Sequence, residues 1–331
     1  MIAVRKCLVV GSGSIARRHI AILRQLLPAA EVACVSASGR LLLEDETAAT
    51  HRLASLSDAI AWRPDLAVIA SPAPFHPSHA MAFLDIGTVV LIEKPLADSS
   101  ARFDELASRL CVHRDRIEIA YNLRYLPALL ELKKQIDREA IGRLHSIRIE
   151  VGQYLPDWRP HTNYRRNVSA NKDLGGGALL ELSHELDYLL WIFGNFDTAY
   201  CIASNSGQLE IDVEDRVDIM LSRADGVVTQ LHMDFLQRQV TRQCRVIGET
   251  GTLHLDLIAN SLRIFRHGNE EILFSDPIAD RNLMYIEQMR GFIEIATGQR
   301  SPRISLDDGI AVLTLINFLR QSALTGLPVA L

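Results

Sequence analysis

The chain has 331 residues, 48% of them hydrophobic, and a formal net charge of −5. Because single hydrophobic cores seldom grow beyond about 250–300 residues, this length predicts two domains. The acidic balance disfavours a nucleic-acid-binding protein, whose surface usually carries a basic patch. No apolar run is long enough to span a membrane, so we expect neither a nucleic-acid partner nor a membrane partner.

The cysteines favour a reducing compartment. They are widely spaced and form no Cys-x-x-Cys pair: Cys7, Cys34, Cys111, Cys201 and Cys244. Such spacing is typical of reduced thiols in a cytoplasmic protein. The first residues lead directly into a strand and a glycine turn, so we expect no signal peptide and a cytoplasmic location.

The first part of the chain alternates short apolar strands with helices. Strands are predicted at Lys6–Val10, Val32–Val35, Leu66–Ala70, Val89–Ile92 and Ile117–Ala120, and helices after the first glycines to Leu27 and at Ser78–Ile86. Continuously apolar strands separated by helices indicate a parallel sheet that is covered on both faces. We therefore predict an N-terminal Rossmann domain over residues 1–121.

A glycine turn follows the first strand and opens a helix. Gly11 permits the tight turn, Gly13 lets a pyrophosphate approach the backbone, and Ala16 keeps the helix close to the strand. With Ser14 and Ile15, these residues form the N-terminus of a helix, where free N–H groups bind phosphate. The strand–turn–helix context predicts dinucleotide binding. A turn used only for packing is the alternative.

The second strand lacks the carboxylate that usually binds the ribose of NAD. Ser36, Ser38 and Arg40 follow it instead, and hydroxyls with an arginine suit a 2′-phosphate. We therefore expect NADP or NAD as cofactor, with NADP preferred. The alternative is a solvated loop with an arginine that has no role.

From about residue 122 the pattern changes to alternation of polar and apolar residues. Ser146–Val151 and the segment 253–257 both alternate, which indicates a sheet with one covered face. We predict a second α/β domain over residues 122–331 with a mostly antiparallel, open sheet, whose free face forms a homo-oligomer contact. A final helix is predicted with caps at Asp307 and Asp308 and a stop at Gly326.

Several motifs in order resemble one enzyme family. They are Gly-Ser-Gly-Ser-Ile-Ala-Arg-Arg-His from Gly11, Ala70-Ser71-Pro72 with His76, Glu93-Lys94-Pro95, Gly175-Gly176-Gly177, and Ser183-His184-Glu185-Leu186-Asp187. This ordered set is similar to the glucose–fructose oxidoreductase and inositol dehydrogenase (Gfo/Idh/MocA) family.

The resemblance implies a Rossmann domain followed by an α/β domain with an open sheet. It implies a nicotinamide-dependent dehydrogenase acting on a CH–OH or keto carbon of a sugar-like substrate. Lys94 would contact the reacting oxygen and His184 would handle its proton, with a cis peptide bond before Pro95. The resemblance also places Ser71, Pro72, His76, Glu93 and Lys94 at the cofactor. Asn122 ends the last Rossmann strand and is expected at the cleft rim near the nicotinamide, with a structural hydrogen-bonding role as the alternative.

The residues themselves support these roles. Lys94 lies just past a parallel strand, at the sheet edge where ligands bind, and an amine there can donate to a carbonyl or alkoxide oxygen. His184 lies on a predicted helix that ends at Gly194. Its near-neutral titration suits proton transfer with a hydroxyl, although a structural histidine is the alternative.

The usual aspartate four residues before this histidine is replaced by Leu180. Glu181 lies three residues before His184, on the same helical face, and is predicted to act with it. Asp187, three residues after His184, could instead orient the imidazole or pair with a cation.

A basic and aromatic segment is predicted to contact the substrate. Its residues are Tyr154, Trp158, Arg159, Tyr164 and Arg165, and Arg124 is expected at the rim of the same cleft. Arginine forks suit carboxylates and phosphates, and flat rings suit a sugar or a base. We therefore expect an anionic substrate, either a nucleotide-linked sugar or a sugar acid. A solvated loop is the alternative.

Two other functions remain possible from the sequence. A dinucleotide-binding regulator could keep the fold without the chemistry, or a reductase could act on a non-sugar ligand. No metal site is predicted, because the histidines lack paired spacing with cysteines or acids. His76 and His79 are three apart at a helix start, where a turn or capping role is favoured.

Overall fold

The computed structural model describes residues 4–43 and 46–331. By their contacts these residues form two units. The first unit contains the chain up to Asn122 together with Arg281–Leu313, and the second contains Leu123–Asp280 together with Thr314–Leu331.

The first unit is built on a six-stranded sheet. Its strands are β1 (Lys6–Val10), β2 (Glu31–Val35), β3 (His51–Leu53), β4 (Leu66–Ile69), β5 (Val89–Ile92) and β6 (Ile117–Ile119). They pair in the order β3-β2-β1-β4-β5-β6, and every pair is parallel. This is the strand order of dinucleotide-binding Rossmann domains, with the change of direction beside β1. The predicted parallel sheet is confirmed.

The helices of this unit connect successive strands. They are α1 (Ser14–Leu26), α2 (Leu56–Trp62), α3 (His76–Leu84), α4 (Ser100–Asp104), α5 (Ala107–Val112) and, from the later segment, α9 (Leu283–Ala296). The four central strands are buried almost along their whole length. Burial on both faces explains why their sequences are continuously apolar and do not alternate.

The carboxyl ends of five strands lie in one row. Val10 pairs with Val35 on one side and with Ile69 on the other, Ile69 pairs with Ile92, and Ile92 pairs with Ile119. The residues that follow these strands therefore lie along a single edge of the sheet. In open α/β sheets this edge binds the ligand.

The segment 281–313 differs from the expected domain boundary, which assigned it to a second domain of residues 122–331. Helix α9 packs against α1. Ile286, Met289 and Phe292 of α9 share one buried apolar cluster with Ile20 and Leu23 of α1. Burial of this apolar stripe explains why the segment returns to the first unit. The boundary near residue 122 agrees with the sequence prediction.

The second unit is built on a nine-stranded sheet. Its strands are β7 (Leu144–Gly152), β8 (Thr198–Ser204), β9 (Arg216–Ser222), β10 (Val228–Asp234), β11 (Thr241–Gly248), β12 (Thr252–Asp256), β13 (Ser261–Arg266), β14 (Asn269–Ser275) and β15 (Val329–Ala330). They pair in the order β14-β13-β12-β11-β7-β10-β9-β8-β15. Only β7 and β10 are parallel, so the predicted mostly antiparallel sheet is confirmed.

Helices cover one face of this sheet. Helix α6 (Pro127–Asp137) packs on β12, β13 and β14, and α7 (Ala178–Glu181) packs on β9 and β10. The opposite face carries a groove of about 520 Å³ whose lining includes Arg148, Tyr200 and His232. This one-sided burial produces the alternation that the sequence shows.

The remaining α-helices of the described residues are α8 (His184–Phe193) and α10 (Leu306–Thr325). Helix α10 is capped differently from the prediction. Ser305 Oγ accepts from the Asp308 backbone N–H at 3.1 Å, and the Asp308 carboxylate accepts from the Ser305 backbone N–H at 2.7 Å. Ser305 is therefore the cap, because a residue just before the helix can reach the free N–H groups of the first turn. No described helix is long and apolar enough to cross a membrane.

Candidate active site

Two glycines shape the turn between β1 and α1. Gly11 has a φ of +123°, and a Cβ atom there would overlap the carbonyl oxygen of Ala70. This close approach requires glycine. Gly13 differs, because a Cβ atom on it would meet no atom within 4 Å. Gly13 is thus dispensable for packing, and its bare backbone faces open space.

The N-terminus of α1 fits the diphosphate of a dinucleotide. Gly13 occupies the N-cap position and has no side-chain cap. The N–H groups of the first turn, from Ser14 and Ile15 onward, therefore remain available to an anion. Ala16 is fully buried and lets α1 lie close to the sheet. These residues would bind the diphosphate of a nicotinamide dinucleotide.

The residues after β2 would contact the adenosine ribose. Ser36 Oγ lies 3.0 Å from Ser38 Oγ. Arg40 makes two hydrogen bonds, of 2.7 and 2.8 Å, to the carboxylate of Glu46. Glu46 had no predicted role, yet its carboxylate pairs with the Arg40 guanidinium that was expected to bind a 2′-phosphate.

The turn after β5 contains the proposed catalytic lysine. The Lys94–Pro95 peptide bond is cis, as the family resemblance implies. The carboxylate of Glu93 accepts from the Lys94 backbone N–H at 3.3 Å and lies 2.6 Å from Nε2 of His19 on α1. The His19 side chain is 1% exposed. Glu93 thus has internal partners that fix the backbone leading to Lys94, which is itself partly exposed.

A second histidine holds the other side of this turn. The ring nitrogens of His76 lie 2.8 Å from the Pro95 carbonyl and 2.7 Å from the Ser71 carbonyl. His76 is 1% exposed and its ring lies between these two carbonyls within the turn, and a contact with the cofactor remains a prediction. His79 contacts Ser71 Oγ at 3.0 Å, and burial lowers the pKa of His79 to about 4.

The remaining cofactor candidates in this unit differ in exposure. Ser71 is 7% exposed and Asn122 is 3% exposed, whereas Pro72 is partly exposed and precedes the short helix at Ala73–Phe75. All three follow the carboxyl ends of their strands, so their placement agrees with the prediction, and a cofactor contact remains a prediction.

The helix expected around His184 is broken in two. Helix α7 ends at Glu181, and α8 begins at His184 after Leu182 and Ser183. Glu181 and His184 therefore do not share the face of one helix, as was expected, because a common face requires a continuous helix. Glu181 instead accepts a hydrogen bond of 3.0 Å from Ser169 Oγ. The predicted stop at Gly194, which has a φ of +78°, is confirmed.

Asp187 pairs with a cation. Its carboxylate accepts from Nε of Arg124 at 3.0 and 3.1 Å and from an Nη atom at 2.6 Å. The Asp187 side chain is 0% exposed and the Arg124 side chain is 4% exposed. Arg124 is therefore corrected from a substrate-contacting residue to a buried structural one, because its guanidinium has little surface to offer.

The aromatic segment is held by several internal contacts. Trp158 packs edge-on against Phe235 at 5.2 Å between ring centroids, and Arg238 lies 3.4 Å from the ring centroid of Tyr154. Tyr164 donates to the Leu209 carbonyl at 3.0 Å.

The arginines of this segment differ from one another. The Arg165 guanidinium lies over the Tyr164 ring and pairs with Glu210 at 2.8 Å, whereas Arg159 is exposed. The two arginines that were predicted to bind substrate therefore have different surroundings.

Comparison with protein families matches both parts of the chain. Residues 5–120 match the oxidoreductase family with an NAD-binding Rossmann fold, and residues 129–254 match the Gfo/Idh/MocA C-terminal domain. The chain belongs to the Gfo/Idh/MocA family. It is an NAD-binding oxidoreductase, and the resemblance found in the sequence is confirmed.

Individual relatives of known name are distant. Levoglucosan dehydrogenase of Pseudarthrobacter phenanthrenivorans is 28% identical over 279 residues, which cover 73% of this chain and 66% of that protein. The structure of myo-inositol 2-dehydrogenase from Lactobacillus plantarum superimposes with a TM-score of 0.82 at 20% identity and covers 99% of this chain and 100% of that one. The structure of the WlbA dehydrogenase of Bordetella pertussis, solved with NADH and UDP-GlcNAcA, superimposes with a TM-score of 0.79 at 22% identity and covers 99% of both chains.

Two residues of this Gfo/Idh/MocA chain were not identified by sequence reasoning as part of the site. His19 pairs with Glu93, and Arg242 pairs with Glu185 at 2.7 and 3.0 Å. His19 lies in the first motif, at the end of Gly-x-Gly-x-x-Ala-x-x-His, and this position was the available signal. Arg242 lies in an alternating strand and has no local signal, since its partner is 57 residues away.

Proposed function

We propose that this chain is a dehydrogenase of a CH–OH group in an anionic sugar, with Lys94 and His184 as its catalytic residues. The observation that carries the proposal is the single row of strand ends in the first unit. That row brings the glycine turn, Ser36, Ser71 and the Glu93–Lys94 turn to one edge of the sheet. When bound there, a nicotinamide supplies or accepts the hydride.

Lys94 would act on the oxygen of the reacting carbon. Its ammonium group can donate a hydrogen bond to a carbonyl or to a developing alkoxide, and a fixed donor at that position stabilises the charge that forms there. The backbone on either side of Lys94 is held by His19 through Glu93 and by His76 through the Pro95 carbonyl. This support restricts the turn, so the ammonium group starts from a defined backbone.

His184 would move the hydroxyl proton. It is partly exposed at the first position of α8, where a neutral imidazole can accept a proton during oxidation and return it during reduction. Glu181 was expected to assist, but it belongs to another helix and contacts Ser169. We assign the proton transfer to His184, and a part for Glu181 in that transfer stays a prediction.

The anionic character of the substrate is proposed from the aromatic segment. Arg159 is exposed on it, and Tyr154 and Trp158 are partly exposed beside it. An arginine fork binds carboxylate or phosphate, and neighbouring rings can pack on a sugar or a base. The relative solved with UDP-GlcNAcA shows that a protein of this fold can accept such a molecule.

A preference for the phosphorylated cofactor is also proposed. Ser36, Ser38 and Arg40 would bind the 2′-phosphate, and Glu46 would have to yield its two hydrogen bonds from Arg40. The family description names NAD, so the two cofactors must be compared directly.

The substrate can be sought with a small panel of named compounds. The melting temperature is measured with saturating NADH or NADPH in the presence of levoglucosan, myo-inositol or UDP-GlcNAcA, since ligands that bind the native state raise it. Turnover of the same compounds is then followed by absorbance with NAD⁺ or NADP⁺. We expect the largest effects from UDP-GlcNAcA. Equal or larger effects from myo-inositol would contradict the anionic substrate.

The catalytic roles are tested by removing each side chain. Lys94→Ala and His184→Ala should lose about 10² to 10⁴-fold in kcat while the Kd for the cofactor stays within about twofold. Lys172→Ala serves as the control, because this exposed lysine lies on the same unit as His184 but carries no proposed chemistry. Near-parental turnover in His184→Ala would remove it from the mechanism.

A homo-oligomer through the open sheet face is proposed as well. Ile202 and Met220 are 47% and 49% exposed on that face and line its groove together with Arg148 and Asp218. Such a mixed apolar and charged surface fits a second copy of the chain. The molar mass measured by light scattering should be a multiple of the 36.9 kDa chain mass. Met220→Lys should lower that molar mass.

A further inference from the structure

Helix α8 is held at its first turn by two ion pairs whose carboxylates are buried. Glu185 accepts two hydrogen bonds from Arg242 of β11, at 2.7 and 3.0 Å, and its side chain is 0% exposed. Asp187 accepts three from Arg124, and its side chain is also 0% exposed. Each pair joins both oxygens of one carboxylate, so it fixes the direction of the carboxylate as well as its distance.

The two pairs lie on either side of His184. Successive residues of an α-helix are about 100° apart around the axis. Glu185 is therefore displaced by about 100° in one direction from His184, and Asp187, three residues on, by about 60° in the other. Because the two arginines hold α8 from different directions, the helix cannot rotate about its axis without breaking one of them.

The arginines come from different parts of the second unit. Arg242 lies near the start of β11, which pairs with both β7 and β12 inside the sheet. Arg124 lies in the short helical turn at Asn122–Tyr125, and its guanidinium also lies 5.3 Å from the ring centroid of Trp191. Trp191 is four residues after Asp187, on the same face of α8. Arg124 thus contacts α8 at two successive turns.

Buried carboxylates of this kind are costly unless they are paired, and an apolar pair of similar size would often be as stable. Stability alone therefore does not explain why two paired carboxylates lie in the helical turn that begins with His184. We infer that Arg124 and Arg242 are positioning residues, which act through Asp187 and Glu185 to fix the place and direction of the His184 imidazole. This inference rests on the proposed catalytic role of His184.

The central test changes the geometry of a pair and keeps its charge. Arg242→Lys retains the positive charge but replaces a planar fork by a single point donor. We expect kcat to fall by about 10- to 100-fold, because small displacements of a catalytic group have effects of that size. The KM for UDP-GlcNAcA, the expected substrate of the panel above, and the Kd for NADH should stay within about twofold of the parental values. Arg124→Lys should behave in the same way.

A double-mutant cycle separates positioning from a general structural role. In the His184→Ala background, Arg242→Lys should cause no further loss of kcat, since the residue acts only through His184. Additive losses would overturn the inference. If His184→Ala alone keeps parental turnover, the proposed function fails instead, so the two failures are distinguishable. Arg263→Lys is the matched control, because its pair with Glu270 is exposed and joins β13 to β14, not to α8.

Proton NMR of the histidine rings tests the positioning of His184 without a substrate. The Cε1–H signal of His184 is identified in the NADH-bound protein by its loss in His184→Ala. Arg242→Lys should shift or broaden this signal and leave the other histidine signals in place, and Arg263→Lys should leave all of them unchanged. If Arg242→Lys does not fold, Glu185→Asp is used, which keeps both charges and withdraws the carboxylate by one methylene. An unchanged His184 signal with unchanged kcat in a folded variant would show that the pair does not position the imidazole.

Discussion

The imidazole of His19 lies 2.6 Å from the carboxylate of Glu93 and joins α1 to the turn that carries Lys94. The His19 side chain is 1% exposed and the Glu93 side chain 11%. The helix that would bind the cofactor diphosphate and the turn that would contact the reacting oxygen are therefore connected by one buried contact.

His19→Ala should destabilise the protein. Loss of a buried hydrogen bond to a carboxylate costs about 1.5–3 kcal/mol in the free energy of unfolding, and the Lys94 backbone N–H remains as a donor to Glu93. The control is His51→Ala, which breaks an exposed histidine–glutamate pair of 2.7 Å to Glu31 and should cost less than about 1 kcal/mol. Urea unfolding measures both. Equal losses in the two variants would show that burial of the Glu93 pair contributes nothing.

The two glycines of the first turn should fail in different ways. Gly11→Ala introduces a Cβ atom at positive φ against the Ala70 carbonyl, so we expect a lower melting temperature. The Cβ atom of Gly13→Val would meet no protein atom within 4 Å, so the melting temperature without cofactor should stay close to that of the parent, while the Kd for NADH rises at least about tenfold. Parental NADH binding by Gly13→Val would mean that the diphosphate does not approach this backbone.

The contrast shows what the sequence could specify. The motif assigned the tight turn to Gly11 and the approach of the pyrophosphate to Gly13, whereas the positive φ of Gly11 and its proximity to the Ala70 carbonyl are visible only in the structure. Strand β5 was predicted with its observed ends, Val89–Ile92, because it is a short apolar run just after a helix stop at Gly87. Strand β3 (His51–Leu53) was not predicted, since three residues without an apolar run carry no pattern.

Long-range relationships could not be predicted from the pattern. The apolar spacing of Leu179, Leu182 and Leu186 continues through the break between α7 and α8, so the sequence indicated a single helix. Arg124 and Asp187 are 63 residues apart, and their pairing is visible only once the chain is folded. Residues that follow the strands could be assigned to one edge of the sheet because parallel strands align their ends, whereas the partners of these residues depend on packing.

Glu46 should lower the affinity for the phosphorylated cofactor. The hydrogen bonds from Arg40 lower the pKa of Glu46 to about 2, so it is ionised throughout neutral pH and competes with a 2′-phosphate for Arg40. Glu46→Gln should decrease the Kd for NADPH about three- to tenfold and leave that for NADH within about twofold. Arg40→Ala should raise the Kd for NADPH and leave the Kd for NADH unchanged. If neither variant changes the ratio of the two constants, this loop does not select the cofactor.

His232 should make stability depend on pH between about 6.5 and 9. Hydrogen bonds to Asp234 and then Asp218 raise the pKa of His232 to about 9 in the folded protein. Because the pKa of His232 is higher in the folded than in the unfolded protein, its protonation stabilises the fold fully at a pH below the pKa of the unfolded state. That contribution is lost as the pH rises through the folded-state pKa of about 9. With allowance for partial exposure we expect about 1–2 kcal/mol. Urea unfolding at pH 6.5 and 9.5 should show a larger decrease for the parent than for His232→Gln, and equal decreases would contradict this assignment.

Arg159 should select charged substrates more strongly than Arg165. Both lie on the segment after β7, but the Arg165 guanidinium pairs with Glu210 at 2.8 Å and stacks over Tyr164, whereas Arg159 is exposed. An arginine already paired must give up that contact to bind an anion, so its net contribution is smaller. Arg159→Ala should raise the KM for UDP-GlcNAcA about tenfold or more, and Arg165→Ala only about two- to threefold, with the KM for myo-inositol unchanged in both.

Arg166→Ala controls this comparison, because it removes an equal charge from an exposed position in the same segment. A general electrostatic attraction would make all three variants lose affinity alike, and that loss would disappear at about 0.5 M salt because charges on the surface are screened. A direct contact by Arg159 would keep a difference between Arg159→Ala and Arg166→Ala at high salt. Equal KM values for UDP-GlcNAcA in the parent and in Arg159→Ala would assign the recognition of charge to residues outside this segment.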